Sequence, residues 1–249
     1  MLHSGIRCVG ICNDSRISFF SIGGHEVMNM ARTILSLALS MLLSGATVAA
    51  PPPTTDDGLV LTSAKGVDVL YRRPDATLAG YTKVMLSPTT VAFSKSWNPR
   101  NYGTFGLSVE DVNKMRTGLA SLADGVFAQV LTDGGYPVVT MPDAGVLQVV
   151  PAIVDLYVNA PETDQPGRTR TYVLSAGSMR LTFELRDAVT GAVLFRGSDL
   201  KRDPEMRPLQ WASGAYNRAK AETALRGWAT RLKQALDAAK AATATAASH

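Results

Sequence analysis

The stretch Tyr172–Lys201 (YVLSAGSMRLTFELRDAVTGAVLFRGSDLK) restricts the fold more than any other part of the chain. From Ser178 to Arg186 the side chains alternate strictly. Met179, Leu181, Phe183 and Leu185 share one face, and Arg180, Thr182, Glu184 and Arg186 share the other. A period of two is that of a strand in a sheet with one buried and one wet face. The DAVTG run at 187–191 supplies turn chemistry, after which Val193 and Phe195 resume an apolar strand. These residues predict a long antiparallel hairpin at the centre of the domain.

Around this hairpin the chain reads as strand, helix, strands, helix. Residues 81–93 (YTKVMLSPTTVAF) predict a first strand interrupted by Pro88, which calls for a bulge or an edge position. Ser108, with Asp111 three residues on, caps a helix whose apolar positions Val112, Met115, Leu119, Leu122, Val126 and Val130 recur at helical spacing, and Val109 is grouped with them. Gly134, Gly135 and Pro137 end it. A short strand is expected over 137–141 and a longer one over 146–159, with Val150, Ala152, Val154, Leu156 and Val158 on one face. A second long helix is expected from Leu209 to about Ala239, with Trp211, Ala215, Ala221, Leu225, Trp228, Leu232 and Leu236 near one face. The low-complexity end, 241–249, reads as a disordered tail. With one crossover and hairpins afterwards, both helices cover the same side of the sheet. The fold class is therefore α/β in the α+β sense: a two-layer sandwich of a mainly antiparallel sheet with two long helices on one face.

The start of the chain carries an export pattern. Met28 or Met30, followed by Arg32, opens a basic region, Thr33–Ala46 (TILSLALSMLLSGA) is apolar, and Ala49 or Ala50 offers a cleavage site. Residues 28–50 thus read as a signal peptide, or, uncleaved, as a membrane anchor. Residues 1–27 precede a complete beginning and read as a start-site misassignment. Leu43, Ser44 and Gly45 match the first positions of a lipobox, but Ala46 stands where the lipidated cysteine belongs. With no thiol there, membrane attachment by lipidation at this site is chemically excluded. Residues 51–70 read as a polar linker after PPPTTDD, and 71–240 as a single domain.

The cysteines, Cys8 and Cys12, and two of the three histidines, His3 and His25, lie before the export pattern, leaving only His249 beyond it. A Ser/His/Asp or Cys/His nucleophile system needs an imidazole inside a packed site. Zinc sites need the same ligand types. No catalytic residue, metal ligand or cofactor site is expected, and the chain reads as a non-enzyme. Its 25 basic and 21 acidic residues are scattered, unlike the concentrated basic face of a nucleic-acid binder. Two groups remain as candidate surfaces. Trp97, Tyr102 and Phe105 lie on a long Gly/Pro/Asn-rich loop, either closing an end of the core or meeting a partner. Asp155, Arg180, Glu184, Arg186 and Arg196 would form the outer face of the sheet, solvated or interacting. Asp155 and Glu184 are also the pair a carboxylate-based cell-wall glycan hydrolase would use.

The segments YRRPDATLAGYTKVML, GVLQVVPAIVDLYVNAP and SAGSMRLTFELRDAVTGAVLFRGSD, with Trp211, Asn217, Arg218 and WATRLKQALD, resemble a family of bacterial envelope proteins catalogued as domain of unknown function 3313. Its members are described as lipoprotein-like. The resemblance implies an exported domain associated with the envelope and supplies no activity. The export pattern, the missing catalytic side chains and the two candidate surfaces lead to the expectation of a module in the periplasm or at the outer membrane that binds an envelope protein or cell-wall component. A purely structural envelope module is the third possibility.

Overall fold

A computed structural model describes residues 50–102, 106–160, 172–173, 175–205, 210–211 and 213–247. The expected signal segment, the residues before it and Phe105 lie outside these. The central hairpin is present as β7 (Gly177–Asp187) and β8 (Val193–Arg202), paired antiparallel from Ser178↔Arg202 to Arg186↔Val193. The turn is made by Asp187, whose Oδ1 accepts from the amides of Val189 (3.1 Å) and Thr190 (2.8 Å) and from the Thr190 hydroxyl (2.9 Å). Gly191 closes it in the left-handed region, at φ 71°.

β5 (Val146–Val158) lies antiparallel beside β7. Along its far edge run two short strands in parallel, β3 (Lys83–Leu86) and β4 (Thr90–Phe93). They are the expected first strand, broken at Ser87–Thr89 around Pro88 and sitting at the sheet edge. Leu86 pairs with Val149 and Thr90 with Ala152, so the break faces Val150 and Pro151. A proline that has no amide to give a ladder is thus placed where its own edge strand is interrupted.

The stretch expected as a linker, 51–70, is structured instead. β1 (Val60–Thr62) and β2 (Val69–Arg72) extend the sheet beyond β8, giving seven strands in the order β1-β2-β8-β7-β5-β3 with β4 also on β5. Leu59 is fully buried, and the bridge Thr54↔Val60 folds the preceding residues back on β1. Single apolar residues among polar ones gave no period to read. β6 (Tyr172–Val173) and β9 (Gln210–Trp211) form a separate two-stranded pair, so Trp211 belongs to a strand and not to the last helix. The strand expected over 137–141 reduces to one bridge, Val84↔Val138.

Helix α1 (Val109–Asp133) begins with a reciprocal capping box, Ser108 Oγ accepting from the Asp111 amide (3.0 Å) and the Ser108 amide donating to Asp111 Oδ2 (3.0 Å). Gly135 ends it at φ 84°. Helix α2 (Gly214–Ala247) starts later than expected and continues through the alanine-rich end, so 241–247 is helical. Alanine is the best helix former and needs no packing partner to extend a helix already nucleated. Both helices lie on one face of the sheet. Ala123, Val126 and Phe127 of α1 and Leu225, Trp228 and Ala229 of α2 share a core with Val91, Ile153, Leu156, Met179 and Leu181. A second cluster unites Leu131, Tyr136 and Leu236 with Val84, Leu147, Val149 and Leu185. Val109, grouped with the apolar stripe, is 78% exposed. Among the described residues no helix is long and apolar enough to cross a membrane.

The inward face of β5 is the reverse of the expected one over its first half. Leu147, Val149 and Ile153 are buried, whereas Leu156 faces the core in its second half. The parity changes because β5 carries one extra residue. Val154 pairs with Arg180 but Tyr157 with Ser178, and Asp155 sits in the left-handed region at φ 52°.

Candidate functional site

Fully buried side chains begin at Ala123 in α1 and at Leu225 in α2. The matched clusters show that the two helices run in the same direction, so their first turns stand at one end of the sandwich and are only partly packed. Between these turns and the ends of β5, β7 and β8 lies a groove of about 990 Å³. Its floor includes Leu119, Leu122, Leu156, Val158, Met179 and Ala221. Six cations line it, Lys114, Lys201, Arg202, Arg218, Lys220 and Arg231, against two carboxylates, Asp111 and Asp203. Sequence reading missed this site because its residues come from five elements and none of them forms a local motif.

Several of these charges are committed. Lys220 pairs with Asp203 at 3.0 Å, and Asp203 also accepts from the Ala176 amide (2.8 Å) and Tyr216 hydroxyl (3.2 Å). Its carboxylate and burial push the Tyr216 phenol up, burial being the larger cause. Lys201 pairs with Asp199 at 2.7 Å. That carboxylate is almost fully buried and accepts from Trp228 Nε1 at 2.7 Å, with Arg231 Nη1 3.6 Å away. Asp199 thereby ties α2 to β8 beneath the groove. Arg202 and Arg218 have no hydrogen-bond or ion-pair partner among the described residues. The buried Oδ1 of Asn217, another lining residue, has no hydrogen-bond donor among the described residues, although its amide donates to Ala160 O at 3.0 Å.

The aromatic loop is drawn inward. Trp97 is 6% exposed, stacked on Phe93 at 4.2 Å and on the half-buried Tyr102 at 5.6 Å. Trp97 Nε1 (3.1 Å) and Tyr102 Oη (2.8 Å) both donate to Val158 O. Two of the three candidate partner-loop residues thus close the end of the core and hold the terminus of β5. Buried this way, Trp97 offers no free ring face to a partner.

The five charged residues of the outer face form two separate groups. Glu184 lies between Arg186 and Arg196, accepting from Arg186 Nε at 2.9 Å and Arg196 Nε at 2.8 Å. Arg196 also grips Asp57 through both terminal nitrogens, at 3.1 and 2.9 Å, fixing the segment before β1 across the sheet. Arg180 pairs with Asp155 at 3.3 Å. Burial pushes the Glu184 carboxyl up, but hydrogen bonds from Arg186 and Arg196 outweigh it and hold the group below its usual range. In register Glu184 faces Val150, so Asp155 is five residues further along β5, a backbone separation of roughly 16 Å at about 3.3 Å per residue. Paired glycosidase carboxyls sit within about 10 Å of each other, and one keeps its proton to a raised pKa. Their spacing along the sheet and the lowered Glu184 carboxyl do not suit such a pair. Among the described residues no cluster of His, Cys, Asp or Glu could hold a metal ion.

Residues 55–232 match the family model described as a protein of unknown function, DUF3313. The chain belongs to this family. A comparison with curated proteins gives no match. Among solved structures, this DUF3313 chain is similar to the PelC dodecamer of Paraburkholderia phytofirmans, with 16% identity and TM-score 0.32, covering 68% of this chain and 91% of that one. It is similar to a DUF330 protein of Xanthomonas campestris at 18% identity and TM-score 0.35, covering 65% and 86%. A candidate lipoprotein of Caulobacter crescentus CB15 matches at 16% identity and TM-score 0.31, covering 69% and 96%.

Proposed function

We propose that this DUF3313 protein is an exported, non-catalytic binding module of the bacterial envelope, and that its ligand or partner sits in the groove between the first turns of α1 and α2. The observation that carries the reading is the groove itself: concave, apolar-floored, and ringed by oriented polar groups, which is the usual anatomy of a binding site. The export pattern over 28–50 and the absent lipobox thiol at Ala46 favour a periplasmic or outer-membrane-associated chain without a lipid anchor of its own. The outer sheet face, with Glu184 and Asp57 neutralised by arginines, is a structural seam that leaves little charge to offer a partner. A hydrolase built on Asp155 and Glu184 is disfavoured by their separation and by the lowered Glu184 pKa.

The test is a photo-crosslinking amino acid placed at Leu119 in the groove and, as a control, at Val189 in the β7–β8 turn, in cells that are then fractionated. Adducts from position 119 alone, on a periplasmic chain beginning near Ala50 or Pro51, support the reading. A chain that stays cytoplasmic overturns the envelope role. Absence of any groove adduct overturns the site and leaves a purely structural module.

A further inference from the structure

We infer that the groove takes a monomeric anionic amphiphile, an acyl chain bearing an acidic head. This rests on the proposed binding role and specifies the chemistry of what is bound. The floor is aliphatic, with Leu119, Leu122, Leu156, Val158 and Met179 offering no polar partner to a substrate, so it suits a hydrocarbon chain. Met115 and Met179 adapt to a flexible chain better than branched side chains do. The rim is selective for negative charge. Six of its eight charged residues are cations, and Arg202 and Arg218, which have no partner among the described residues, present guanidinium forks suited to a carboxylate or phosphate. Both helices direct their N-terminal, partially positive ends to this side of the domain, which reinforces the same preference.

Size separates this ligand from an acidic amphipathic helix. A helix about 10 Å across filling about 990 Å³ would be roughly 13 Å long, about eight residues at 1.5 Å each. That is too short to be helical before binding or to bring its own specificity. The same volume lies at the upper end of the small-molecule range, enough for a lipid-sized ligand.

The experiment uses the purified chain and 1-oleoyl lysophosphatidic acid below its micelle concentration, with monooleoylglycerol as the uncharged counterpart. Binding is read by native mass spectrometry and by displacement of a dansylated fatty acid. The expected result is one saturable site, with the neutral lipid bound at least ~10-fold more weakly, the loss expected for one charge-assisted contact. The double variant Arg202→Glu/Arg218→Glu should lose ~100-fold or more, since two such contacts are removed and the rim charge is reversed. These side chains are exposed, so the variant should retain its circular dichroism and melting temperature. A second variant, Ala221→Trp, fills the floor and should abolish binding of both lipids. Equal affinity for the acid and the neutral lipid, or an unaffected arginine variant, overturns the inference. If no lipid binds but crosslinks from position 119 persist and Ala221→Trp removes them, the groove reading stands and the amphiphile is wrong. An acidic peptide recovered in those crosslinks would mean the same.

Discussion

Replacing Asp199 tests how the groove is held in shape. Its carboxylate is buried between β8 and α2, accepting from Trp228 Nε1 and Lys201 Nζ, each at 2.7 Å, with Arg231 Nη1 at 3.6 Å. Asp199→Ala strands the indole N–H, worth about 1–3 kcal/mol as a buried unmet donor. It also leaves Lys201 and Arg231 facing each other without a counter-charge, and breaking such a buried pair costs about 3–5 kcal/mol. Both cations are about one-third exposed, so water screens part of that, and a total of about 3–4 kcal/mol is expected. For a unit near 200 residues this lowers Tm by roughly 6–16 °C. Asp199→Asn keeps an acceptor for the indole and should lose about half as much. The assay is urea denaturation followed by tryptophan fluorescence and circular dichroism. Lys201→Met introduced beside Asp199→Ala should recover part of the loss, because the isolated cation is gone. A loss under about 1 kcal/mol for Asp199→Ala, or no coupling to Lys201, would refute the view that this carboxylate fastens α2 to β8.

Trp97→Ala removes the stack on Phe93 and one of two donors to Val158 O, and should cost about 3–5 kcal/mol in denaturant melts, whereas Trp97→Phe, which keeps the stack, should cost less than half of that. Burial, with the Asp237 carboxylate bonded at 2.9 Å, pushes the Tyr136 phenol up to about 12. Because the folded value is raised, this stabilisation is complete below the unfolded value near 10 and is lost as pH climbs through about 12, so Tyr136→Phe should flatten the alkaline fall in Tm. Asp155→Val places a β-branched residue at φ 52° and should cost about 1–2 kcal/mol, while Asp155→Gly removes that strain along with an exposed ion pair and should be close to neutral by thermal melt.

The central hairpin, the capping box at Ser108 and the placement of both helices on one sheet face were legible because each rests on a local period or a short-range cap. What was not legible depended on distant chain. β1 and β2 form only because β8 offers an edge, and nothing in Val60–Arg72 alternates strongly enough to reveal it. Trp211 has helical spacing from Ala215 and Leu225 but pairs as strand with Tyr172, a partner 39 residues earlier in the chain. The groove was invisible for the same reason: Lys114, Met179, Arg202 and Arg218 share no motif and meet only through packing.

The inversion of β5 shows how one residue governs both the fold and the candidate site. Were Asp155 paired regularly, with no bulge, the inward parity of Leu147, Val149 and Ile153 would continue, and Leu156 and Val158 would turn to the outer face. The groove would then lose two of its apolar floor residues. Val158 O, which accepts from both Trp97 and Tyr102, would be re-aimed as well. The bulge costs a left-handed aspartate, and in exchange the strand presents apolar side chains to the helices at both ends of the sheet. An aspartate suits that position, since it tolerates the left-handed region better than most residues, and here its carboxylate reaches Arg180 on the next strand. The alternation in 146–159 therefore marks a strand throughout but gives the inward face only for its second half, because a period of two carries no mark of where an unpaired residue resets it.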